Sequence, residues 1–343
     1  MDRVTSIKDV ARTVGVSTAT VSRALRGLPR VSDETRDRVL QVAAELDYVA
    51  SPSAASLASG QTRAVGIVVP FVTRWFYSSV VQGAEELLRQ AGYDSLLYNL
   101  GGNAEARRRV FRSHLLRKRV DAVLILSLTP TAHEIAELHK LGYPVAVVGT
   151  MVEGWSSVRI DDAGAALTAT QHLLDLGHRR IAYVGGLLED ELGFSAPAAR
   201  LTGFRTALGA VGLQPDPRLE LIGDFTVRGG VAAGEKLVAV ADRPTAIFAA
   251  SDEMAIGVVH AVRSAGLRVP EDISVIGIDD HEMSEYFELT TVAQPVLDQG
   301  RTAARLLLDA LEHQADGSPV ARDVTVPTHL VVRRTTAPPS VPT

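Results

Sequence analysis

The 343-residue sequence contains no cysteine. That absence excludes disulfides and thiolate-held metal centres and agrees with a reducing compartment. Nowhere do about 18 apolar residues follow one another without interruption, the length a membrane-spanning helix needs. The first residues, MDRVTSIKDV, hold no apolar stretch of signal-peptide length. A cytoplasmic protein with no membrane partner is expected. Aromatic residues are scarce at 5%, and neither sign of charge dominates, the formal net charge being −5. The usual catalytic signatures are missing as well: there is no GxGxxG, no GxSxG and no phosphate loop ending in GK[ST]. His133 and His139 lie six positions apart, about 240° around a helix, so they cannot share a metal as an i, i+4 pair does. No enzyme activity, cofactor or metal site is expected.

What is present is 46% hydrophobic and 22% charged residues, a globular composition in a chain long enough for two or three domains with cores of their own. The stretch 6–25, SIKDVARTVGVSTATVSRAL, opens on Ser6 and Asp9 at capping-box spacing, with Ile7, Val10, Ala11 and Val14 on one helical face. Gly15 and Val16 break the period, and Ser17 caps a second run in which Val21, Ala24 and Leu25 turn inward. Two short helices so tightly joined form a helix-turn-helix. Thr18, Ala19, Thr20, Ser22 and Arg23 then project from the opening turns and outer face of the second helix, small or polar enough to approach base edges in a major groove. Spacing alone leaves an ordinary helical hairpin open.

Dividing the charge sharpens the choice. Residues 1–63 hold nine Lys/Arg against seven Asp/Glu, a balance of +2 that leaves −7 for the rest of the chain. Arg23, Arg26, Arg30, Arg36 and Arg38 cluster around the second helix and the next one, where phosphates would lie. Ser32 caps that third helix, with Asp33 and Glu34 at its positive end and Val39, Val42, Ala43 and Leu46 facing inward. Next, Ser51 as cap, Pro52 in the first turn and Gly60 as stop outline an Ala-rich helix of about two turns, too short to be stable alone.

From residue 61 the pattern alternates. Strands are expected at 64–70, 94–99, 122–126 and 145–148, with helices at 78–90, 104–116 and 131–141 between them. A second series follows, with helices at 164–176, 200–210, 229–240 and 253–265 and strands at 181–184, 219–222, 246–249 and 274–277. Such alternation predicts two α/β lobes with parallel sheets covered on both faces. The stretch 71–77, FVTRWFY, follows the first strand and concentrates aromatics in an aromatic-poor chain. Phe71, Trp75, Phe76 and Tyr77 are expected on a loop there, where their faces would suit sugar rings. His172 and His178, near a helix end on either side of Gly177, read as caps.

The motifs SIKDVAR at 6–12, GVSTATVSRAL at 15–25, LGHRRIA at 176–182, RLTGF at 200–204, ASDEMAIG at 250–257, VIGIDD at 275–280 and LVVRR at 330–334 together resemble the lac repressor-type (LacI/GalR) family over essentially the whole chain. The resemblance implies an N-terminal all-α helix-turn-helix headpiece at 1–50 and a hinge helix and linker at 51–63. A two-lobed α/β effector domain, similar to type I periplasmic binding proteins, would occupy 64–335. Its N-lobe would take 64–162 with 296–326 and its C-lobe 163–295 with 327–335, leaving 336–343 as a disordered tail.

By the same resemblance the partners are double-stranded operator DNA, a small-molecule effector and a second copy of the chain. Thr18 and Ala19 choose operator bases, Arg23 reads a guanine, and Arg26, Ser17 and Ser32 hold phosphates. Leu57 wedges into the minor groove at the operator centre while Ala54 lets two hinge helices approach. Ser51 departs from the family's usual Asn, and Ala55 and Ala58 from its frequent Arg. Arg200, Phe225, Ser251 and Asp279 fall on ligand-contacting positions and Gln294 lies near the cleft. Asp161, Asp162 and Asp280 are as readily helix caps or hinge contacts as ligands. The aromatic stretch resembles the branch that senses cellobiose and related glucosides. A sugar inducer, a purine corepressor and a phosphoprotein corepressor remain open, whereas a solute-binding transport protein would need the signal peptide or lipid-attachment cysteine that is missing. The tail carries no heptad, so no coiled-coil tetramer is expected.

Overall fold

The computed structural model describes residues 5–48, 61–112, 116, 118–189, 192–313 and 321–340. The chain divides into two compact units, Met1–Arg63 and Ala64–Thr343.

In the first unit three helices follow from local capping chemistry. Helix α1 is Ile7–Val14, and the Asp9 carboxylate at its third position accepts from the Ser6 backbone N–H at 3.0 Å. Gly15, at φ 79, ends it in the left-handed conformation that glycine adopts without strain. Helix α2 is Thr18–Leu25, where Ser17 accepts from the Thr20 N–H at 3.1 Å. Helix α3 is Asp33–Glu45, capped likewise by Ser32. Each presents one small apolar stripe, and Val10, Val14, Val21, Ala24, Val39 and Val42 close into one core. No helix this short is stable alone, so that shared core is what holds them.

The second unit carries two six-stranded sheets. The N-lobe sheet contains β1 Ala64–Val69, β2 Asp94–Asn99, β3 Ala122–Leu126, β4 Val145–Val148, β5 Ser156–Arg159 and β11 Asp323–Thr325, in the order β11-β5-β4-β3-β1-β2. The C-lobe sheet contains β6 Ile181–Gly185, β7 Glu220–Ile222, β8 Ala246–Ala249, β9 Ser274–Asp279, β10 Thr290–Ala293 and β12 His329–Val331, in the order β12-β10-β9-β8-β6-β7. The described ladders are parallel except β10 with β12, which pair antiparallel. The continuous apolar runs of β1, β3, β4 and β8 are buried at every residue, as strands covered on both faces must be.

On the N-lobe, α4 Trp75–Gln90 and α11 Val296–His313 cover one face, and α5 Ala104–Arg112 and α6 Ala132–Leu141 the other. Gly83 and Gly300 bring α4 and α11 together, since a Cβ on either would strike the carbonyl of Leu297 or Val80 respectively. The C-lobe pairs α7 Asp162–Asp175 with α8 Ala196–Ala210, and α9 Val227–Ala239 with α10 Asp252–Ser264. Three chain crossings join the lobes. At one of them the Val326 N–H donates to the Arg159 carbonyl at 2.7 Å, and the Val326 side chain packs against the cores of both lobes.

Several sequence expectations change. Helix α4 begins at Trp75, with Arg74 as N-cap, so Trp75, Phe76 and Tyr77 form its first turn rather than a loop; nothing in 75–90 breaks the helical period. The short strands β5, β10, β11 and β12 and helix α11 were not anticipated. Residues 336–340 are docked rather than disordered. His172 Nε2 meets Thr336 Oγ1 at 2.9 Å, and buried His178 meets Thr245 Oγ1 at 2.8 Å and the Ala337 carbonyl at 2.9 Å. Ser274 Oγ also donates to that carbonyl, at 3.0 Å. The rings of the two histidines therefore anchor the C-terminal segment, while the His178 backbone does close the end of the helix as expected, its N–H donating to the Leu173 carbonyl at 3.1 Å. The expected hinge helix, with Ala54 and Leu57, lies outside the described residues.

Candidate functional sites

In the first unit Thr18, Ala19, Arg23, Arg26 and Ser32 are exposed, and Thr20 and Ser22 half-buried. The first turn of α2 contains no acidic residue, so nothing there opposes a polyanion. Several of the expected contacts are already engaged. The Thr20 hydroxyl lies 2.9 Å from the Ser17 hydroxyl, and Arg26 Nε donates to the Ser22 carbonyl at 3.1 Å. Thr20 thus helps cap α2, and Arg26 is held along the helix with its charge outward. Ser32 accepts from the Thr35 N–H and donates to the Thr35 hydroxyl at 2.8 Å. Thr18, Ala19 and Arg23 are left as the open face of α2.

In the second unit a cleft lies between the lobes, open to solvent at its mouth and lined by apolar side chains with a few polar groups among them, as small-molecule sites are. It is built from residues just past the carboxyl ends of parallel strands, where open α/β sheets place their ligands. Arg74 follows β1, Ser127 follows β3, Ser251 follows β8 and Asp279 ends β9. Phe76, Tyr77, Phe194 and Phe225 supply apolar walls. Ser127, Phe225 and Asp279 all have positive φ, at 53, 51 and 137. Strain of this kind, about 1–3 kcal/mol per residue, persists where the surroundings over-determine a functional geometry.

Arg200 is the polar centre. Its Nε donates to Asp162 Oδ1 at 2.7 Å, Nη1 donates to the Ala250 carbonyl, and Asp279 Oδ1 lies 3.9 Å from Nη1. Asp279 accepts from Gln294 Nε2 at 2.6 Å, and Gln294 accepts from Gln299 Nε2 at 2.7 Å. Burial lifts the Asp279 carboxyl to about 8 despite Arg200 beside it. The neighbouring Asp252 and Glu253 carboxylates push it the same way, since like charges nearby disfavour ionisation. Asp252 is lifted to about 6, chiefly by burial. It accepts from the Ser284 and Thr291 hydroxyls at 2.7 Å each and from the His281 N–H at 2.9 Å, fixing the loop beyond β9.

The lobes also clasp at the cleft mouth. Arg74 Nη2 reaches Asp224 Oδ2 at 3.3 Å, the Trp75 and His281 rings lie 4.6 Å apart, and Ser195 Oγ donates to the Gly149 carbonyl at 3.1 Å.

The description "Bacterial regulatory proteins, lacI family" matches residues 6–51, and "Periplasmic binding protein-like domain" matches residues 170–336. Catabolite control protein A of Priestia megaterium is 36% identical over 322 residues, covering 92% of this chain and 96% of its own. The PurR transcriptional repressor of Vibrio cholerae is 36% identical over 313 residues, covering 90% and 91%. The chain belongs to the LacI family. Among solved structures, the transcriptional regulator CelR–cellobiose complex is 34% identical with a TM-score of 0.70, covering 96% of this chain and 99% of that one. A lac repressor dimer bound to operator and the anti-inducer ONPF is 29% identical with a TM-score of 0.85, covering 98% and 100%. As a LacI-family member, the chain is a DNA-binding transcriptional regulator, and these relatives are regulators rather than enzymes. No helix among the described residues is long and apolar enough to cross a membrane.

Of the effector positions expected from sequence, Phe76, Tyr77, Arg200, Phe225, Ser251, Asp279 and Gln294 line the cleft. Phe71, Trp75 and Asp161 do not. Phe71 packs against both N-lobe cores with the Arg74 guanidinium 3.9 Å above its ring, and Trp75 turns to His281. The Asp161 carboxylate is spent on the Gly164 N–H as the cap of α7, and the neighbouring Asp162 takes the inward position. Arg74, Ser127, Phe194, Ser195, Glu253 and Gln299 also line the cleft and were missed. For Arg74, Ser127 and Glu253 the available signal was position just beyond a parallel strand.

Proposed function

We propose that this regulator is a dimeric repressor of carbohydrate-utilisation genes, that it reads a near-palindromic operator through Thr18, Ala19 and Arg23, and that a neutral sugar bound in the cleft releases it. The observation that carries the effector class is the composition of the cleft. Its ionisable lining is Arg74 and Arg200 against Asp162, Glu253 and Asp279. With no surplus of positive charge, an anionic ligand gains nothing there. A ligand with apolar ring faces and many hydroxyls would find aromatic walls at Phe76, Tyr77 and Phe225, and acceptors and donors at Asp279, Gln294 and Arg200. Cellobiose, the partner in the CelR complex, is a ligand of this chemistry. The lac repressor, similar to this chain and bound to its operator as a dimer, supports the same arrangement for DNA binding.

The test begins by selecting operator fragments from random duplex DNA with the full-length protein, then titrating cellobiose, glucose and nucleobases against the bound fragment. Near-palindromic fragments released by cellobiose are expected, together with a rise in melting temperature as the sugar binds. Operator affinity that ignores every sugar but increases with a nucleobase refutes the inducer reading.

A further inference from the structure

The loop between β6 and α8 belongs to the C-lobe, yet its last residues are built into the N-lobe. Leu192 is 1% exposed and sits in the N-lobe core with Val110, Phe111 and Leu128; Phe194 packs at the edge of that core and also lines the cleft. The Gly193 carbonyl accepts from the Thr129 N–H at 3.3 Å. A peg of this shape needs its backbone polar groups satisfied inside the N-lobe, and one buried side chain holds the Leu192 carbonyl.

Arg107, on α5 and 5% exposed, donates through Nη1 to the Leu192 carbonyl at 2.6 Å and through Nη2 to the Thr129 carbonyl at 2.8 Å. Its remaining donors grip Glu134 in a bidentate pair at 2.8 and 2.7 Å. Glu134 is fixed in turn as the third residue of α6, its carboxylate accepting from the Thr131 N–H at 2.8 Å. The guanidinium fork is thus aimed by one helix at the N-terminus of another, and its Nη1 holds the peg.

We propose that Arg107 is a positioning residue for the effector site: by holding the Leu192 carbonyl it keeps the peg seated, and the seated peg sets Phe194 and Ser195 as a cleft wall. Arg107 itself does not line the cleft, so it acts through the peg. The assignment rests on the cleft being the effector site.

The test uses the full-length chain with Arg107→Met combined with Glu134→Gln, so that no uncompensated buried charge remains, and separately Leu192→Ala, which removes the anchor and keeps the arginine. Hydrogen exchange is followed at Thr129 and residues 192–199 without ligand, and cellobiose is titrated as the probe. Both variants are expected to exchange faster there and to bind cellobiose about tenfold more weakly. Val258→Ala, a stability control in the C-lobe core, should move neither readout. Unchanged exchange in a folded variant, or faster exchange with cellobiose affinity intact, overturns the assignment. Should the Arg107 variant fail to fold, Leu192→Ala decides alone by the same criteria. Should the parent chain not bind cellobiose, cellobiose as the ligand falls by itself. The emission of Trp75 in a Trp155→Phe background then decides for the peg, since Trp75 lies at the lobe junction beside His281; emission unmoved by the Arg107 change overturns it.

Discussion

Replacing Arg200 by Met tests the polar centre of the cleft most directly. The side chain is 7% exposed, and its loss strips Asp162 of a 2.7 Å partner, leaves the Ala250 carbonyl without that donor and removes the cation 3.9 Å from Asp279. Methionine fills most of the volume, so the cost is mainly electrostatic. Breaking a buried ion pair by removing one partner costs about 3–5 kcal/mol, because the remaining charge stays desolvated. For a unit of this size each kcal/mol lowers the melting temperature by about 2–4 °C, so a drop of roughly 10 °C is expected. Adding Asp162→Asn to Arg200→Met removes the stranded charge and should recover a substantial part of the loss. Calorimetry on the parent, both single variants and the double variant closes the cycle. A loss below about 1 kcal/mol in Arg200→Met would mean that the pair is effectively solvated and would refute the reasoning.

Titration of the same site gives a second expectation. Asp252 and Asp279 rise from 3.8 to about 6 and about 8, in both cases chiefly through burial. The folded state therefore holds protons that the unfolded state releases near pH 4. Their contribution to stability is full below that pH and is lost as pH rises through 6 and 8, and Asp279→Asn should flatten the upper part of the fall in urea-unfolding curves. In the DNA-binding unit, Arg23→Ala should cost about 1–3 kcal/mol at one base pair and relax the choice there. Arg26→Ala should weaken all sequences alike and reduce the salt slope by about one; fluorescence anisotropy on selected and scrambled duplexes separates the two. Removing 336–343 should destabilise the C-lobe by about 1–3 kcal/mol for each buried group orphaned at His178 and Ser274, read as a lower melting temperature and faster exchange along β9.

Legibility in the sequence followed the range of the interaction. The caps at Ser17 and Ser32 are contacts within three residues, and the buried strands β1 and β3 are continuous apolar runs, so both were readable from the residues. Strand β12 is three residues long and exists because Thr291 pairs with Val331 across 40 positions, a partnership no local window contains. The C-terminal segment reads as a disordered Pro-rich tail because its partners, His172 and His178, lie more than 150 positions earlier. Asp161 and Asp162 are adjacent and chemically identical, and only the direction of the first turn of α7 decides which one caps and which one reaches Arg200.

The lobe arrangement also limits how a ligand can act. The cleft walls come from both cores: Phe76 and Tyr77 from the N-lobe, Arg200 and Phe225 from the C-lobe. A ligand that touches both changes the free energy of one lobe arrangement relative to another, and it cannot shift that balance by more than its own difference in affinity for the two. The clasp of Arg74 on Asp224 is exposed on its carboxylate side, at 52%, and is worth at most about 1 kcal/mol. The Leu192 peg, with its buried arginine, is the stronger tie between the lobes. Lobe movement that accompanies effector binding is therefore expected to open and close the Arg74 side of the cleft while pivoting about the seated peg.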